Sequence, residues 1–94
     1  MPYMYLLECA DGSYYTGSTY DLKKRIEEHN SGLGARHTAK SLPVKLVYFE
    51  EFSRIDHAFN REKQVQKGSQ AKKRALIEQD IQTLEIMAKK DFTT

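Results

Sequence analysis

Short apolar segments separated by turn residues run through the first part of the chain and predict a β-hairpin. Residues Tyr3 to Ala10 alternate weakly and are rich in aromatic and aliphatic side chains, which favours a strand. Asp11-Gly12 follows as a turn signal, because glycine accepts a positive φ without steric cost. Tyr14 to Ser18 is then predicted to return antiparallel to the first strand.

The third predicted strand, Val44 to Phe52, is largely apolar on both of its faces. Alternation of side chains assigns Val44, Leu46 and Tyr48 to one face and Lys45, Val47 and Phe49 to the other. A strand with apolar side chains on both faces is expected to be covered from both sides.

The first helix is predicted over Leu22 to Asn30. Asp21 or Thr19 caps its N-terminus, and Gly32 or Gly34 ends it. One face of this helix combines apolar and basic residues at offsets of zero, three, four and seven, namely Leu22, Arg25, Ile26 and His29.

A long basic loop, Ser31 to Pro43, leads to the third strand, and a second helix follows that strand. Ser53 and Asp56 resemble a capping pair that begins a helix of about Arg54 to Lys67. Gly68 is expected to end this helix.

Glu62 lies in the middle of the apolar stripe of the second helix, which contains Ile55, Ala58, Phe59, Glu62 and Val65. Arg25 and Glu62 are therefore both expected to point to the same interior side, where an unpaired charge is costly. Either the two groups pair or reach past the edge of the core, or they face a substrate across a cleft. In a cleft, Arg25 is suited to a phosphate and Glu62 to Mg²⁺ or Mn²⁺.

A final helical region is capped by Ser69 and carries a narrow apolar stripe formed by Ile77, Ile81, Leu84 and Ala88. The predicted class is α+β, with a small antiparallel three-stranded sheet flanked by helices in the order ββαβα plus a C-terminal helix. We expect one domain over residues 1–94, with a core at about 3–77 and a helical extension at about 78–94.

The composition is that of a small globular chain, with 94 residues, 39% of them hydrophobic and 30% charged. No apolar run approaches the roughly 18 residues of a membrane span, and the N-terminus MPYMYLLECA lacks the features of a signal peptide. The one cysteine, Cys9, excludes an internal disulfide and indicates a reducing cytoplasm. Three scattered histidines and one cysteine do not provide a closed zinc site.

Basic residues are concentrated in the middle of the chain. The net charge is +2, but the segment from Lys23 to Arg74 carries thirteen Lys or Arg against six Asp or Glu. The two ends are acidic. A basic segment of this size fits either a phosphate-rich partner or an ordinary solvated surface.

Two tyrosine motifs resemble the paired signature of the GIY-YIG nuclease superfamily. Tyr3-Met4-Tyr5 is followed by Tyr15-Thr16-Gly17, and the match continues through DLKKRIEEHNSG, GARHT, PVKLVYFEEF, NREKQVQKG and ALIEQ. The resemblance runs from about Tyr3 to Ile77 and is strongest to the small stand-alone GIY-YIG proteins of bacteria.

This resemblance implies a catalytic core that hydrolyses DNA phosphodiesters with one divalent metal ion. The ion would be Mg²⁺ or Mn²⁺, held weakly until the phosphate supplies further ligands. Carried over by position, Glu62 is implied as the metal ligand. Arg25 is implied as the residue that stabilises charge on the scissile phosphate.

The resemblance implies roles for four further positions. Tyr5 corresponds to the first-motif tyrosine, as general base or as the group that positions the attacking water, and Tyr15 to its hydrogen-bonding partner in the cleft. His29 resembles the histidine one helical turn after the arginine. Gly17 matches the motif glycine, where a missing side chain allows close approach of the backbone.

The length of the hairpin loop decides whether the two tyrosines share a face. An odd-length loop, Ala10-Asp11-Gly12, pairs Tyr5 with Gly17 and Leu7 with Tyr15, whereas an even-length loop pairs Tyr5 with Ser18. A shared cleft requires the odd-length loop, which is therefore predicted.

The basic loop and its surroundings are predicted to contact a nucleic-acid backbone, with a solvated loop as the alternative. The candidates are Arg36, His37, Thr38, Lys40 and Lys45, together with Lys67 at the end of the second helix. A chain of this size lacks a dedicated sequence reader, so specificity is expected for shape, ends or single strands, or from a partner protein.

The sequence departs from the family pattern at a few positions. Tyr3 stands where glycine is usual, and Met4 and Thr16 replace isoleucines. Gln66 stands where the related small proteins often carry a lysine, and Lys67 points about 100° away around the helix. The predicted function is a metal-dependent DNA nuclease, with a catalytically inactive nucleic-acid-binding module of the same fold as the alternative.

Overall fold

A computed structural model of the chain describes residues 1–79. The elements within this part are β1 (Tyr3–Glu8), β2 (Tyr14–Thr19), α1 (Leu22–Asn30), α2 (Arg36–Ala39), β3 (Lys45–Glu51) and α3 (Ile55–Gln66). Residues 70–79 are also helical. The strands form an antiparallel sheet in the order β2-β1-β3, which confirms the predicted α+β class.

The hairpin between β1 and β2 has the predicted odd-length loop. The Cys9 amide donates to the Ser13 carbonyl at 2.8 Å and closes the loop Ala10-Asp11-Gly12. Gly12 has a φ of 86°, in the left-handed region that glycine adopts without strain. The turn signal in the sequence therefore corresponds to a backbone conformation that needs glycine.

This loop sets the pairing register of the two strands. Tyr5 lies opposite Gly17, and Leu7 lies opposite Tyr15. Directly opposite side chains project from the same face of a sheet, so Tyr5 and Tyr15 share one face. The register predicted from the tyrosine motifs is confirmed.

The central strand β1 is buried on both faces, and each face carries its own hydrophobic cluster. The α1-side cluster contains Tyr5, Leu7, Cys9 and Val44, with Leu22 and Ile26 of α1 packed against it. The α3-side cluster contains Met4, Leu6, Val65 and Ile77. The sheet therefore lies between α1 on one side and α3 with the helical residues 70–79 on the other.

A β-bulge in β3 corrects the strict alternation predicted for this strand. Leu6 pairs with Tyr48 but Leu7 pairs with Leu46, so Val47 is an extra residue in the ladder. An extra residue inverts the alternation beyond it. Consequently Leu46 packs on the α1-side cluster, whereas Tyr48 packs on the α3-side cluster.

The first helix has the predicted bounds, and the structure decides between its alternative end signals. The Asp21 carboxylate accepts a hydrogen bond from the Lys24 amide at 3.1 Å, so Asp21 is the N-cap. Gly32 has a φ of 84° and follows the C-cap residue Ser31. Gly32 therefore ends the helix, whereas Gly34 lies against the ring of His29.

The segment predicted as a long loop contains the short helix α2, which the sequence pattern did not reveal. The Thr38 hydroxyl donates to the Ala35 carbonyl at 2.9 Å, and the Ala39 amide donates to the same carbonyl at 3.0 Å. A helix of four residues is too short for a periodic apolar pattern to show it.

The start of α3 also differs from its prediction. Its N-cap is Arg54, and the predicted capping pair of Ser53 with Asp56 is wrong because the Asp56 carboxylate accepts two hydrogen bonds from the Arg54 guanidinium at 3.0 Å. Phe59 was assigned to the buried stripe but is 48% exposed, with the Lys63 ammonium 4.9 Å from its ring centroid. The buried stripe is therefore narrower than predicted.

Arg61 anchors α3 to the sheet. Its guanidinium donates to the two carboxylate oxygens of Glu50 at 2.9 and 3.1 Å, and the Tyr48 hydroxyl donates to the same carboxylate. This bidentate pair fixes the helix next to the strands. It thereby fixes the position of the adjacent residue, Glu62.

The last helical residues in the described part follow a cap of the predicted type. The Lys72 amide donates to the Ser69 hydroxyl at 3.2 Å. Ile77 is 8% exposed and joins the α3-side cluster, whereas Ile81, Leu84 and Ala88 lie outside the described residues. Among residues 1–79, no helix is long and apolar enough to cross a membrane.

Candidate active site at the edge of the sheet

The Tyr5 side chain runs across the neighbouring strand at Gly17. A Cβ placed on Gly17 would lie 2.5 Å from the Tyr5 hydroxyl oxygen, which is closer than real Cβ contacts allow. The close approach predicted at this glycine is therefore present, and the group that approaches is the phenol. Because β2 is the edge strand, this route carries the hydroxyl toward the rim of the sheet.

The phenol meets a histidine from α1. The Tyr5 hydroxyl lies 3.0 Å from His29 Nε2, and the other ring nitrogen, Nδ1, lies 2.8 Å from the Thr38 hydroxyl oxygen. His29 and Thr38 are fully buried. A Cβ on Gly34 would overlap the His29 ring, so this second glycine admits the imidazole.

Tyr15 completes the aromatic group on the same face. Its ring centroid lies 5.1 Å from that of His29 and 6.4 Å from that of Tyr5. On its other side the ring of His37 lies 6.3 Å away. The structure thus brings together the two predicted tyrosines and the predicted histidine.

Arg25 lies beside this group and remains accessible. Its side chain is 31% exposed and pairs with Glu28 of the same helix at 3.6 Å. Arg25 and His29 are four residues apart in α1, so they project from the same side of the helix. The guanidinium also lowers the pKa of Tyr5. Arg25 therefore has an open side from which a phosphate can approach.

Glu62 lies on the opposite face of the sheet, which corrects the expectation that both charged groups point to one interior side. The Ser18 hydroxyl donates to Glu62 Oε1 at 2.7 Å. Ser18 pairs with Met4, whose side chain belongs to the α3-side cluster. The alternative in which Glu62 pairs with Arg25 is not observed: Arg25 pairs with Glu28, and Glu62 accepts from Ser18.

The two faces meet at the rim of β2. Tyr5 reaches this rim across Gly17 on one face, and the next residue, Ser18, holds Glu62 on the other face. The negative charge of Glu62 acts on the phenol and raises its pKa. The Tyr5 hydroxyl and the Glu62 carboxylate therefore contact adjacent residues of the edge strand, Gly17 and Ser18, from opposite faces.

Burial is the main cause of the high pKa of Tyr5. Burial, the Tyr15 phenol and the Glu62 carboxylate together raise the pKa to about 12, and the Arg25 guanidinium opposes them. At neutral pH the Tyr5 hydroxyl therefore keeps its proton. Any role for Tyr5 as a base requires an acceptor for that proton.

The neighbouring histidine is held neutral. Burial and the Arg25 guanidinium lower the pKa of His29, while the Glu28 carboxylate acts in the opposite direction. A neutral imidazole has one protonated nitrogen and one with a free lone pair, so it can accept a proton.

The depressed pKa of His29 predicts a loss of stability on mild acidification. As the pH falls below the ordinary histidine pKa of about 6.5, the unfolded chain binds a proton at His29 that the folded chain resists. The free energy of unfolding should therefore fall until the pH reaches the lower pKa of the folded state. Urea unfolding at about pH 7.5 and about pH 5.5 measures this loss.

Two variants isolate the contribution of His29. His29→Gln should flatten the decline, whereas His57→Gln, at an exposed position of α3, should retain it. Three carboxyl groups also have lowered pKa values, those of Asp11, Glu50 and Asp56. They change the free energy of unfolding only at lower pH, because carboxyls of the unfolded chain titrate near pH 4. An unchanged decline in His29→Gln would contradict the assignment.

The predicted nucleic-acid contacts are only partly brought together. Arg36, His37 and Lys40 are exposed on or next to α2, and the His37 ring lies near that of Tyr15. Lys45 is exposed on β3. Lys67 lies elsewhere, in a groove of about 440 Å³ between α3 and the helical residues 70–79.

Thr38 was predicted as a backbone contact to nucleic acid, and the structure contradicts this role. The side chain is fully buried and bonded to His29, so a phosphate has no access to it. The sequence pattern also gave no indication of Ser18 as the partner of Glu62 or of Gly34 as the glycine that admits His29. For Thr38 the sequence offered one signal: a threonine hydroxyl can donate to the backbone carbonyl three residues earlier, here that of Ala35.

Glu62 fits a weakly held divalent cation. Its hydrogen-bond partners are neutral, the Ser18 hydroxyl at 2.7 Å and the Gln66 amide at 3.5 Å, so its charge is not neutralised by a basic group. Within residues 1–79, no three His, Cys, Asp or Glu side chains gather into a potential metal cluster. A single carboxylate fits an ion such as Mg²⁺, which keeps most of its waters.

Comparisons with known proteins identify the class to which this fold and site belong. A sequence model described as the GIY-YIG catalytic domain matches residues 1–75. The chain therefore belongs to the GIY-YIG family, and this domain indicates a nuclease superfamily.

Several similar proteins carry the name UPF0213. A UPF0213 protein from Syntrophus aciditrophicus is 46% identical over 79 residues, which are 83% of this chain and 91% of that protein. The solution NMR structure of a UPF0213 protein from Bacillus halodurans is 42% identical, with a TM-score of 0.53 over 83% of this chain and 84% of that one. A structure from E. faecalis is 35% identical, with a TM-score of 0.54 over 89% and 85% of the two chains. The predicted resemblance to small GIY-YIG proteins is confirmed.

Proposed function

We propose that this chain hydrolyses phosphodiester bonds of DNA in a reaction that depends on Mg²⁺ or Mn²⁺. The observation that carries the proposal is the convergence at the rim of β2. Tyr5 reaches it from one face, where the α1 residues His29 and Arg25 act on the phenol, and Glu62 reaches it from the other face. Hydrolysis of a phosphodiester is assisted by this combination of a cationic donor, a proton acceptor and a metal ligand.

Arg25 binds the scissile phosphate in this proposal. Its planar guanidinium can donate two parallel hydrogen bonds to non-bridging oxygens, where negative charge increases in the transition state. The side chain is partly exposed, and its pairing with Glu28 at 3.6 Å is loose enough to be exchanged for a phosphate. Tyr5 is 1% exposed, so the proposed reaction requires the phenol to become accessible to the attacking water when the phosphate binds.

Glu62 holds the metal ion in this proposal, with Ser18 fixing the orientation of its carboxylate. A bound divalent ion would supply Lewis-acid stabilisation of the phosphate and a water of lowered pKa. The long contact to the Gln66 amide leaves Oε2 able to turn toward an ion. The position of Glu62 on the rigid helix α3, next to the anchoring Arg61, keeps this ligand in place.

Tyr5 and His29 accept the proton of the attacking water. The phenolic oxygen takes the proton from water as it passes its own proton to His29 Nε2, 3.0 Å away. Tyr5 therefore acts without a standing phenolate, in agreement with its pKa of about 12. His29 carries the proton until product release.

The same geometry supports one other function, a nucleic-acid-binding module that lacks turnover. Gln66 favours this alternative, because its neutral amide lies 3.5 Å from Glu62 at a position where related proteins often carry a lysine. The absence of that cation leaves one fewer group to assist the reaction. The two functions share phosphate binding by Arg25 and differ in whether the bound DNA is cleaved.

The test is a cleavage assay of the wild-type chain on single-stranded, duplex and branched DNA. We expect cleavage with Mg²⁺ or Mn²⁺ and none after chelation by EDTA, with preference for branched or single-stranded substrates. Binding without cleavage in either metal would instead support the non-catalytic module. Affinity should fall as salt rises, and a salt-independent affinity would argue against phosphate recognition.

A further inference from the structure

We propose that Thr38 is a positioning residue that fixes the tautomer of His29, so that Nδ1 carries the proton and Nε2 accepts from Tyr5. The tautomer is a property of the folded protein. Its consequence for cleavage rests on the proposed nuclease function. The inference assigns a role to a buried residue that touches neither the metal ligand nor an accessible surface.

The direction of the hydrogen bonds begins at the backbone of α2. The Thr38 hydroxyl has one proton, and this proton is donated to the Ala35 carbonyl oxygen at 2.9 Å. The Thr38 oxygen can then only accept from the nitrogen that lies 2.8 Å away, His29 Nδ1. Nδ1 must therefore be the protonated nitrogen.

The protonation state of Nε2 follows from that of Nδ1. A neutral imidazole carries one N–H, so Nε2 has a free lone pair. The Tyr5 hydroxyl, 3.0 Å from Nε2, is then the donor. The chain of hydrogen bonds runs in one direction, from Tyr5 through His29 and Thr38 to the Ala35 carbonyl.

Burial keeps this direction from being reversed by solvent. Tyr5 is 1% exposed, and His29 and Thr38 are both 0% exposed, so water cannot replace a lost partner. In the opposite tautomer, the Thr38 hydroxyl would have to turn its proton from the Ala35 carbonyl to Nδ1, which would leave the 2.9 Å contact between the Thr38 and Ala35 oxygens without a hydrogen bond. A buried polar pair left without its hydrogen bond disfavours that state.

Neighbouring contacts hold both partners in place. The ring of His29 lies against the backbone at Gly34, where a Cβ would overlap it. The residue before Thr38 in α2, His37, contacts the Ser13 hydroxyl at 2.8 Å and ties α2 to the hairpin. The other titratable groups around His29 are Tyr15, Arg25 and Glu28.

The consequence is a defined destination for the Tyr5 proton. With Nδ1 protonated, the lone pair of Nε2 faces the phenol, and proton transfer from Tyr5 can occur. With Nε2 protonated, the imidazole would donate to Tyr5 and could not accept. Thr38 therefore keeps His29 in the state that the proposed reaction needs.

The first experiment uses ¹⁵N-labelled wild-type protein without DNA or metal. Imidazole nitrogens with and without a proton have well-separated ¹⁵N chemical shifts, so long-range ¹H–¹⁵N spectra at neutral pH report the tautomer. We expect His29 Nδ1 protonated and Nε2 bare. A protonated Nε2 overturns the proposal, whether or not the protein cleaves DNA.

The second experiment replaces the hydroxyl. Thr38→Val removes it at nearly constant volume, and we expect the His29 tautomer to shift toward Nε2–H and cleavage to fall about 100-fold with DNA affinity unchanged. Thr38→Ser restores the hydroxyl and should rescue both the tautomer and most of the cleavage. A folded Thr38→Val that keeps the wild-type tautomer contradicts the proposal.

Thr16→Val is the matched control. Thr16 is also buried, but its hydroxyl has no hydrogen-bond partner within the described residues, and it lies on the α3 side of the sheet. This variant should leave the tautomer unchanged. If Thr38→Val does not fold, the proposal is tested by the His29 tautomer in the wild type and in Thr38→Ser, which should both have Nδ1 protonated. A predicted tautomer in a wild type that does not cleave supports the inference and refutes the proposed function.

Discussion

Replacing Glu62 with glutamine should reduce metal-dependent cleavage by about 1000-fold while the protein remains folded and binds DNA. Glutamine has the same shape, and its amide oxygen can still accept from Ser18, so the contact at 2.7 Å is preserved. The negative charge that attracts a divalent cation is lost. The measurement is single-turnover cleavage at saturating protein, with far-UV circular dichroism as the check on folding.

The binding result separates catalysis from recognition. Removing a carboxylate near the phosphate path lowers repulsion, so affinity in EDTA should be equal to or slightly higher than that of the wild type. Glu27→Gln, an exposed carboxylate on α1, serves as the charge-matched control and should cleave normally. If Glu62→Gln cleaved DNA at the wild-type rate, the assignment of Glu62 as the metal ligand would be wrong.

Gly17→Ala should impair both the fold and the site. The added methyl would lie 2.5 Å from the Tyr5 hydroxyl oxygen and 2.6 Å from the ring carbon that bears it, so the phenol must move. Overpacking of this kind costs about 1–3 kcal/mol of unfolding free energy. Displacing the phenol from His29 should also reduce cleavage about 100-fold, which urea unfolding and cleavage assays measure together.

Two further variants test whether the methyl acts through the phenol. Gly12→Ala introduces no contact within 4 Å but carries the strain of a φ of 86°, so it should cost stability and leave cleavage intact. Tyr5→Leu combined with Gly17→Ala should be less destabilised than the sum of the single variants, because the clash disappears. Strict additivity would show that the two residues do not collide.

The parts of the fold that the sequence predicts are those whose signals lie close together along the chain. The bounds of α1 follow from a cap, an apolar face and a terminating glycine. The hairpin register follows from the two tyrosine motifs, because only an odd-length loop places Tyr5 and Tyr15 on one face. In both cases the signal and the structure it predicts lie within a few residues of each other.

The errors arise where tertiary context decides. The bulge at Val47 has no signature in a strand whose two faces are both apolar, because inverting the alternation then exchanges one apolar side chain for another. The periodicity of a helix shows which of its faces is buried but not which side of the sheet it covers. Arg25 and Glu62 were therefore expected on one side, although α1 and α3 pack on opposite sides.

Thr38 shows the same limitation at the level of a single residue. Among basic and exposed neighbours its hydroxyl looks like a surface group, and only the packing of α2 against His29 buries it. The candidate site could be assembled from motif residues because each motif marks one element. The residues that support them, Ser18, Gly34 and Thr38, carry no motif and emerge from contacts between elements.

Because the candidate residues lie on two faces of the sheet, we expect the proposed phosphate binding and hydrolysis to be separable by mutation. Arg25 and the phenol–imidazole pair lie on the α1 side of the sheet, whereas Glu62 lies on the α3 side and accepts a hydrogen bond from Ser18. Under the proposed function, a homologue that lost the Glu62 carboxylate would still bind phosphate through Arg25. A single substitution could thus convert a nuclease into a nucleic-acid-binding domain without changing its fold.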